Sequence, residues 1–227
     1  MSETEATTQP NLIVLDDQDI EVSVELFPAA WQAAEKLLSS DVKVRHSGLD
    51  ELLASQAARV SPLMAYLVVT RLFDPDENLR VRVVEALANI LRRDANGQYA
   101  PEEVRARIIS GLSQLGDQGI FSLIEIGVSH EEALGHIAKL INFAPHTGRY
   151  LKDLAGDRSQ RIEIRKLAIT FLGRIGYVDA YSELIRIRNR IESRQLGQKS
   201  MPFAPPSSES EELLLPELRK VIIALGS

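Results

Sequence analysis

Four histidines, at positions 46, 130, 136 and 146, are the residues of this chain most readily tested for chemistry by their spacing. Two ligands on one helical face must stand four residues apart, whereas His130 and His136 are six apart, so the pattern argues against a metal site. Carboxylates occur in pairs at Asp16-Asp17, Glu102-Glu103 and Glu131-Glu132. The second and third pairs fall where helices are expected to begin, and charge on the helix dipole accounts for them more simply than general acid–base work. The sequence has no cysteine, which removes thiolate nucleophiles, zinc-thiolate sites, iron–sulfur clusters and disulfides. It also has no G-x-S-x-G elbow, no G-x-x-x-x-G-K-[ST] loop and no G-x-G-x-x-G turn after a strand. The expectation is a protein that is not an enzyme and takes no cofactor and no metal.

Arginine is the residue type whose placement is most suggestive. Arg186, Arg190 and Arg194 recur every four residues on one helix face, with Ile187 and Ile191 on the adjoining stripe. Arg158, Arg161 and Arg165 lie a short way upstream. Two readings stand: a solvated charged face, or a site for an anion or an acidic partner. Beside this row runs a Pro- and Ser-rich stretch at about 196–209 that carries Met201 and Phe203. It reads either as a tether or as a partner-contacting loop. Those eight residues, Arg158, Arg161, Arg165, Arg186, Arg190, Arg194, Met201 and Phe203, form the candidate partner-binding set. The lone tryptophan, Trp31, reads as core or end-cap packing, with an exposed anchor as the alternative.

The charge is unevenly spread. The net value is −6, against a general nucleic-acid or anionic-membrane binder. Residues 1–41 are strongly acidic, with Lys36 the one basic residue among them, while residues 149–199 are rich in arginine. Self-association of an acidic head with a basic rear is therefore a further option. No 18-residue apolar run occurs, and residues 1–10 lack the basic and apolar regions of a secretory signal, so a soluble, cytoplasmic protein is expected.

The elements that position these residues follow from a repeat. Val104-Arg105 is followed by Ile108, Leu112, Leu115 and Gly116; Ile164-Arg165 is followed by Ala168, Leu172, Ile175 and Gly176. Arg80 is followed at the same offsets by Val83, Leu87 and Ile90, and Arg45 by Gly48, Leu52 and Ser55. Copies without arginine start at Leu134 (Ile137, Ile141, Ala144) and Leu215 (Leu218, Ile222, Leu225, Gly226). These offsets place every marked residue on one face of a helix and make the glycines candidate left-handed C-caps. Further helices are expected between the copies, at Pro28–Ser39, Pro62–Phe73, roughly Gly119–Val128, Arg149–Ala155 and Asp179–Arg194. The segment Arg92–Pro101, with its Asn-Gly turn, is expected to be a loop.

An apolar-Arg pair opening an Ala/Leu-rich helix that ends in Leu172-Gly173-Arg174-Ile175-Gly176 resembles the second helix of a HEAT repeat. The resemblance covers about residues 28–192 and extends less regularly to 209–226. It implies an all-α fold, a right-handed α-solenoid of about five to six helix pairs over residues 28–227; by composition, residues 1–27 read as an acidic, largely disordered or extended segment before it. Within that segment, 19–26 alternates apolar and polar residues as a strand would. The resemblance further implies a non-catalytic scaffold for a protein partner, and the arginine row would suit an acidic one. Related HEAT-like proteins bind nucleic acid or act as phycobilin-lyase-type chaperones, and these stand as alternatives. No membrane partner is expected.

Overall fold

The computed structural model describes residues 28–198 and 209–226, and among them every regular element is helical. The acidic segment 1–27, with its alternating stretch, and both Met201 and Phe203 lie outside the described residues. A first helix, α1, spans 28–37. It is followed by α2 (Val42–Ala54), the single turn α3 (Ala57–Val60), α4 (Pro62–Thr70) and α5 (Glu77–Ile90). Next come α6 (Glu102–Ser113), α7 (Asp117–Ser129), α8 (Leu134–Ile141) and α9 (Thr147–Gly156). The chain continues through α10 (Ile162–Ile175), α11 (Tyr181–Gln198), the short α12 (Glu209–Glu212) and α13 (Leu215–Gly226).

Local chemistry sets the ends of these helices. Asp41, Ser61 and Asp76 have extended backbones and accept hydrogen bonds from the first-turn amides of Lys43, Met64 and Leu79, which caps α2, α4 and α5. Pro62 occupies the first position of α4, where its missing N–H costs nothing. At the end of α10, Gly176 takes φ +69°, and the Tyr177 amide donates back to the Leu172 carbonyl at 3.1 Å. The expected left-handed cap is therefore present there. Gly116 is different: its φ of −81° and ψ of −178° are extended, and it serves as the N-cap of α7. The next helix begins at once, so the chain leaves α6 without a left-handed turn.

The marked apolar positions face one continuous core. Leu52, Val83, Leu87, Ile108, Leu112, Ile137, Ile141, Ala168, Leu172 and Leu218 are all fully inaccessible to solvent or nearly so. Burying each Leu or Ile side chain contributes about 1.5–3 kcal/mol. Trp31 departs from the core expectation. Ala30, Ala33, Ala34 and Leu37 fill the inner face of α1, and Trp31 is left 43% exposed.

The arginine of the repeat also has a common role. Each lies in the first turn of its helix and donates to carbonyls of the turn or helix end just before it. Arg45 reaches the Ser39 and Ser40 oxygens at 3.1 and 2.9 Å. Arg80 reaches Asp74 O at 3.4 Å, Arg105 reaches Ala100 O at 3.2 Å and Arg165 reaches Ala155 O at 3.1 Å. Carbonyls at helix ends and tight turns lack intrahelical partners, and a long cationic side chain from the following helix satisfies them.

Packing follows chain order in most places: α2 lies on α5, α5 on α8, α7 and α8 on α10, and α10 on α9 and α13, while α11 packs on α13. The copy beginning at Arg105 is the exception. Its helix α6 packs mainly on α4, where Gly111 comes so close to Val69 that a Cβ there would stand 2.7 Å from a valine methyl. The preceding loop, Arg92–Pro101, accounts for the displacement. Asp94 closes an Asx-type turn by accepting the Asn96 and Gln98 amides, Gly97 takes φ +78°, and Arg59 ties the loop to α3 by donating to Gln98 O at 2.8 Å.

Candidate functional site

Four of the arginines singled out by sequence converge on one carboxylate. Arg165 comes from the first turn of α10, Arg158 from the turn that precedes it, and Arg190 and Arg194 from successive turns of α11. All four surround Glu211, which the single turn α12 carries into the space between α10 and α11. Arg165 Nη1 and Arg194 Nη1 each donate at 2.9 Å, to Oε1 and Oε2 respectively. Arg158 Nε stands 3.4 Å and Arg190 Nη2 3.5 Å from Oε1. Arg165 and Glu211 are buried, whereas the Arg158 side chain remains half exposed.

Electrostatics follow from this geometry. Burial opposes ionisation of Glu211, but the hydrogen bond and charge of Arg165, with the charges of Arg158 and Arg190, outweigh it and hold the carboxyl below the usual range. Arg190 is pulled the other way: burial lowers its affinity for a proton, Glu211 opposes this, and the neighbouring guanidinium groups of Arg158, Arg165 and Arg194 add to the lowering. Among the described residues, Arg165 Nη2 and Arg190 Nε and Nη2 find no hydrogen-bond partner, although all three nitrogens are buried. One planar carboxylate cannot satisfy four guanidinium forks.

The other two arginines of the set lie apart. Arg161 approaches Glu125 of α7 at 3.4 Å on the surface, and Arg186 donates to Glu183 one turn back at 2.9 Å. The α11 row thus splits: its first member stays in solvent, and the next two turn inward toward Glu211. Glu211 was not legible as a site residue, because the acidic run Glu209-Ser210-Glu211-Glu212 reads as a solvated helix start. The only hint was its opposite sign to the basic segment before it.

A second feature is an open cleft of about 340 Å³ along α7, α10 and α13. Val128, Leu134 and Leu167 contribute apolar surface, while Glu131, Glu163, Lys166, Arg174, Glu217 and Lys220 bring charges of both signs. A separate polar row joins α2 to α5. Arg82 pairs with Asp50 and lies 2.8 Å from His46 Nδ1, and His46 Nε2 lies 3.0 Å from Asp76 Oδ1. An arginine can only donate, so Nδ1 accepts and the proton sits on Nε2, directed at Asp76. Asp76 also accepts the Leu79 amide that it caps, so this row reads as a helix-start brace.

His130 lies 3.2 Å from Glu132 and 3.6 Å from Glu77. Among the described residues, no three His, Cys, Asp or Glu side chains come together as a metal site, and no helix is long and apolar enough to cross a membrane. Comparison with family models, with curated proteins and with solved structures gives no match for this chain.

Proposed function

We propose that the chain is a non-catalytic, HEAT-like α-solenoid scaffold of about five to six helix pairs that holds a protein partner along the wall formed by α7, α10 and α13. The stacked-pair reading draws support from the recurring arginine that closes the turn before its own helix in four copies, and from packing that mostly follows chain order.

The observation that carries the binding role is the cleft itself. It is built by α7, the start of α8, α10 and α13, from different parts of the sequence, and presents Val128 and Leu167 among alternating Glu163, Lys166, Arg174, Glu217 and Lys220. Apolar contact area supplies affinity, and interspersed charges of both signs set register and reject wrong partners. A protein segment with its own apolar stripe and flanking charges matches such a surface.

Site-specific photocrosslinking tests this reading. A photoreactive side chain at Thr170 in the cleft is expected to trap a discrete protein from cell extract, whereas the same group at exposed Ser182 on α11 traps none. Equal trapping from both positions, or none from Thr170, would overturn the proposal.

A further inference from the structure

The arginine cluster around Glu211 carries more positive charge than its surroundings balance. Among the described residues, four guanidinium groups, from Arg158, Arg165, Arg190 and Arg194, share a single carboxylate within 4 Å, an excess of three charges within that distance. Asp157 feels the charge of Arg165, but its oxygens are occupied by the Ser159 amide and hydroxyl and by Gln160. Adding it to the count still leaves an excess of cations.

The hydrogen-bond count is equally unbalanced. The Arg165 residue is 2% exposed, and among the described residues its Nη2 makes no hydrogen bond; Arg190 Nε and Nη2 are likewise buried without a hydrogen bond, Nη2 standing only in ion-pair range of Glu211 at 3.5 Å. A buried donor left unpaired on a charged group is costly, and a carboxylate offers only two oxygens in one plane. A doubly charged tetrahedral oxyanion offers more acceptors in three dimensions and twice the charge, which suits several converging guanidinium forks.

We propose that this cluster is a binding site for a phosphate-class dianion, and that Glu211 is its internal stand-in, displaced when the dianion binds. The site is distinct from the α7–α10–α13 cleft and does not depend on the scaffold reading. Approach is by way of Arg158, Arg190 and Arg194, whose side chains are 52, 31 and 38% exposed with Glu211 in place. Arg165, at the bottom, becomes reachable once Glu211 withdraws. A tethered carboxylate competes with any free anion, so the native chain binds phosphate more weakly than a chain lacking that carboxylate.

The experiment is titration of the full chain with inorganic phosphate by calorimetry, at constant ionic strength set with chloride, on the wild type and on Glu211→Gln. Glu211→Gln is expected to bind phosphate at least about tenfold more tightly than the wild type, because the competing carboxylate is gone. Adding Arg190→Gln to Glu211→Gln is expected to abolish that gain. Phosphate heats in Glu211→Gln no larger than in the wild type, or unaffected by Arg190→Gln, would overturn the proposal. If Glu211→Gln does not hold its fold, the half-exposed Arg158 decides. A phosphate-dependent rise in the wild-type melting temperature that Arg158→Gln removes supports the site, and a rise that is absent or survives that substitution overturns it. A phosphoserine peptide titrated beside free phosphate distinguishes a protein-borne phosphoryl group from the free ion.

Discussion

Arg45 and Asp74 meet in the interior across 29 residues of chain, with Nη2 2.9 Å from Oδ1. Arg45 belongs to α2, and Asp74 sits in the turn that leads into α5, so the ion pair ties α2 to the start of α5. Both ends are further engaged. Arg45 Nη1 holds the Ser39 and Ser40 carbonyls, and Asp74 Oδ1 accepts the Asp76 amide at 3.0 Å.

Removing one member leaves the other charged and buried, which costs on the order of 3–5 kcal/mol. Arg45→Met and Asp74→Asn are each expected to lower stability by an amount in that range in urea unfolding. The double variant should cost clearly less than the sum of the two, since they share one interaction. Additive losses would show that the pair is not coupled.

Gly48 permits the close crossing of α1 and α2. A Cβ there would stand 2.7 Å from the Ala33 carbonyl oxygen and 2.9 Å from Leu37 Cα, both backbone atoms that cannot turn aside. Gly48→Ala is expected to destabilise by about 1–3 kcal/mol through overpacking. Gly111→Ala meets the Val69 side chain instead, which can change rotamer, so its cost is expected to be smaller. Thermal unfolding of both variants checks the order.

Acid dependence follows from two carboxyls held below their ordinary range. For Glu211, burial opposes the shift and the arginines more than overcome it; for Asp76, the hydrogen bond with His46 and then that from the Leu79 amide lower it. A carboxyl bound more weakly to its proton in the native state stabilises fully above its unfolded pKa, about 4. That contribution is lost as pH falls from there through the lower native value. Unfolding free energy is therefore expected to be insensitive to these two groups between pH 7 and about 5, and to drop below about pH 4. In Glu211→Gln, part of that drop should disappear.

Helix positions were largely legible because the apolar offsets from each arginine are fixed by helix geometry and buried as a stripe. The Ile164-Arg165 copy gave its helix, its buried face and its left-handed Gly176. The equally clear Arg105 copy predicted a helix but not its neighbour. Placement of α6 on α4 depends on the Arg59-anchored loop and on the small Gly111, which are tertiary facts. The arginine set was visible as a row on α11, yet its meaning changed with Glu211, a residue of opposite sign supplied by a separate helical turn.

Partner binding in the α7–α10–α13 cleft is tested most directly by affinity capture with the wild type beside Lys166→Glu/Arg174→Glu/Lys220→Glu. All three side chains are exposed, so the triple variant should keep the wild-type circular dichroism spectrum. The expected result is a discrete set of proteins retained by the wild type and lost by the variant. An identical retained set on both, with the fold intact, would contradict the cleft as the binding surface.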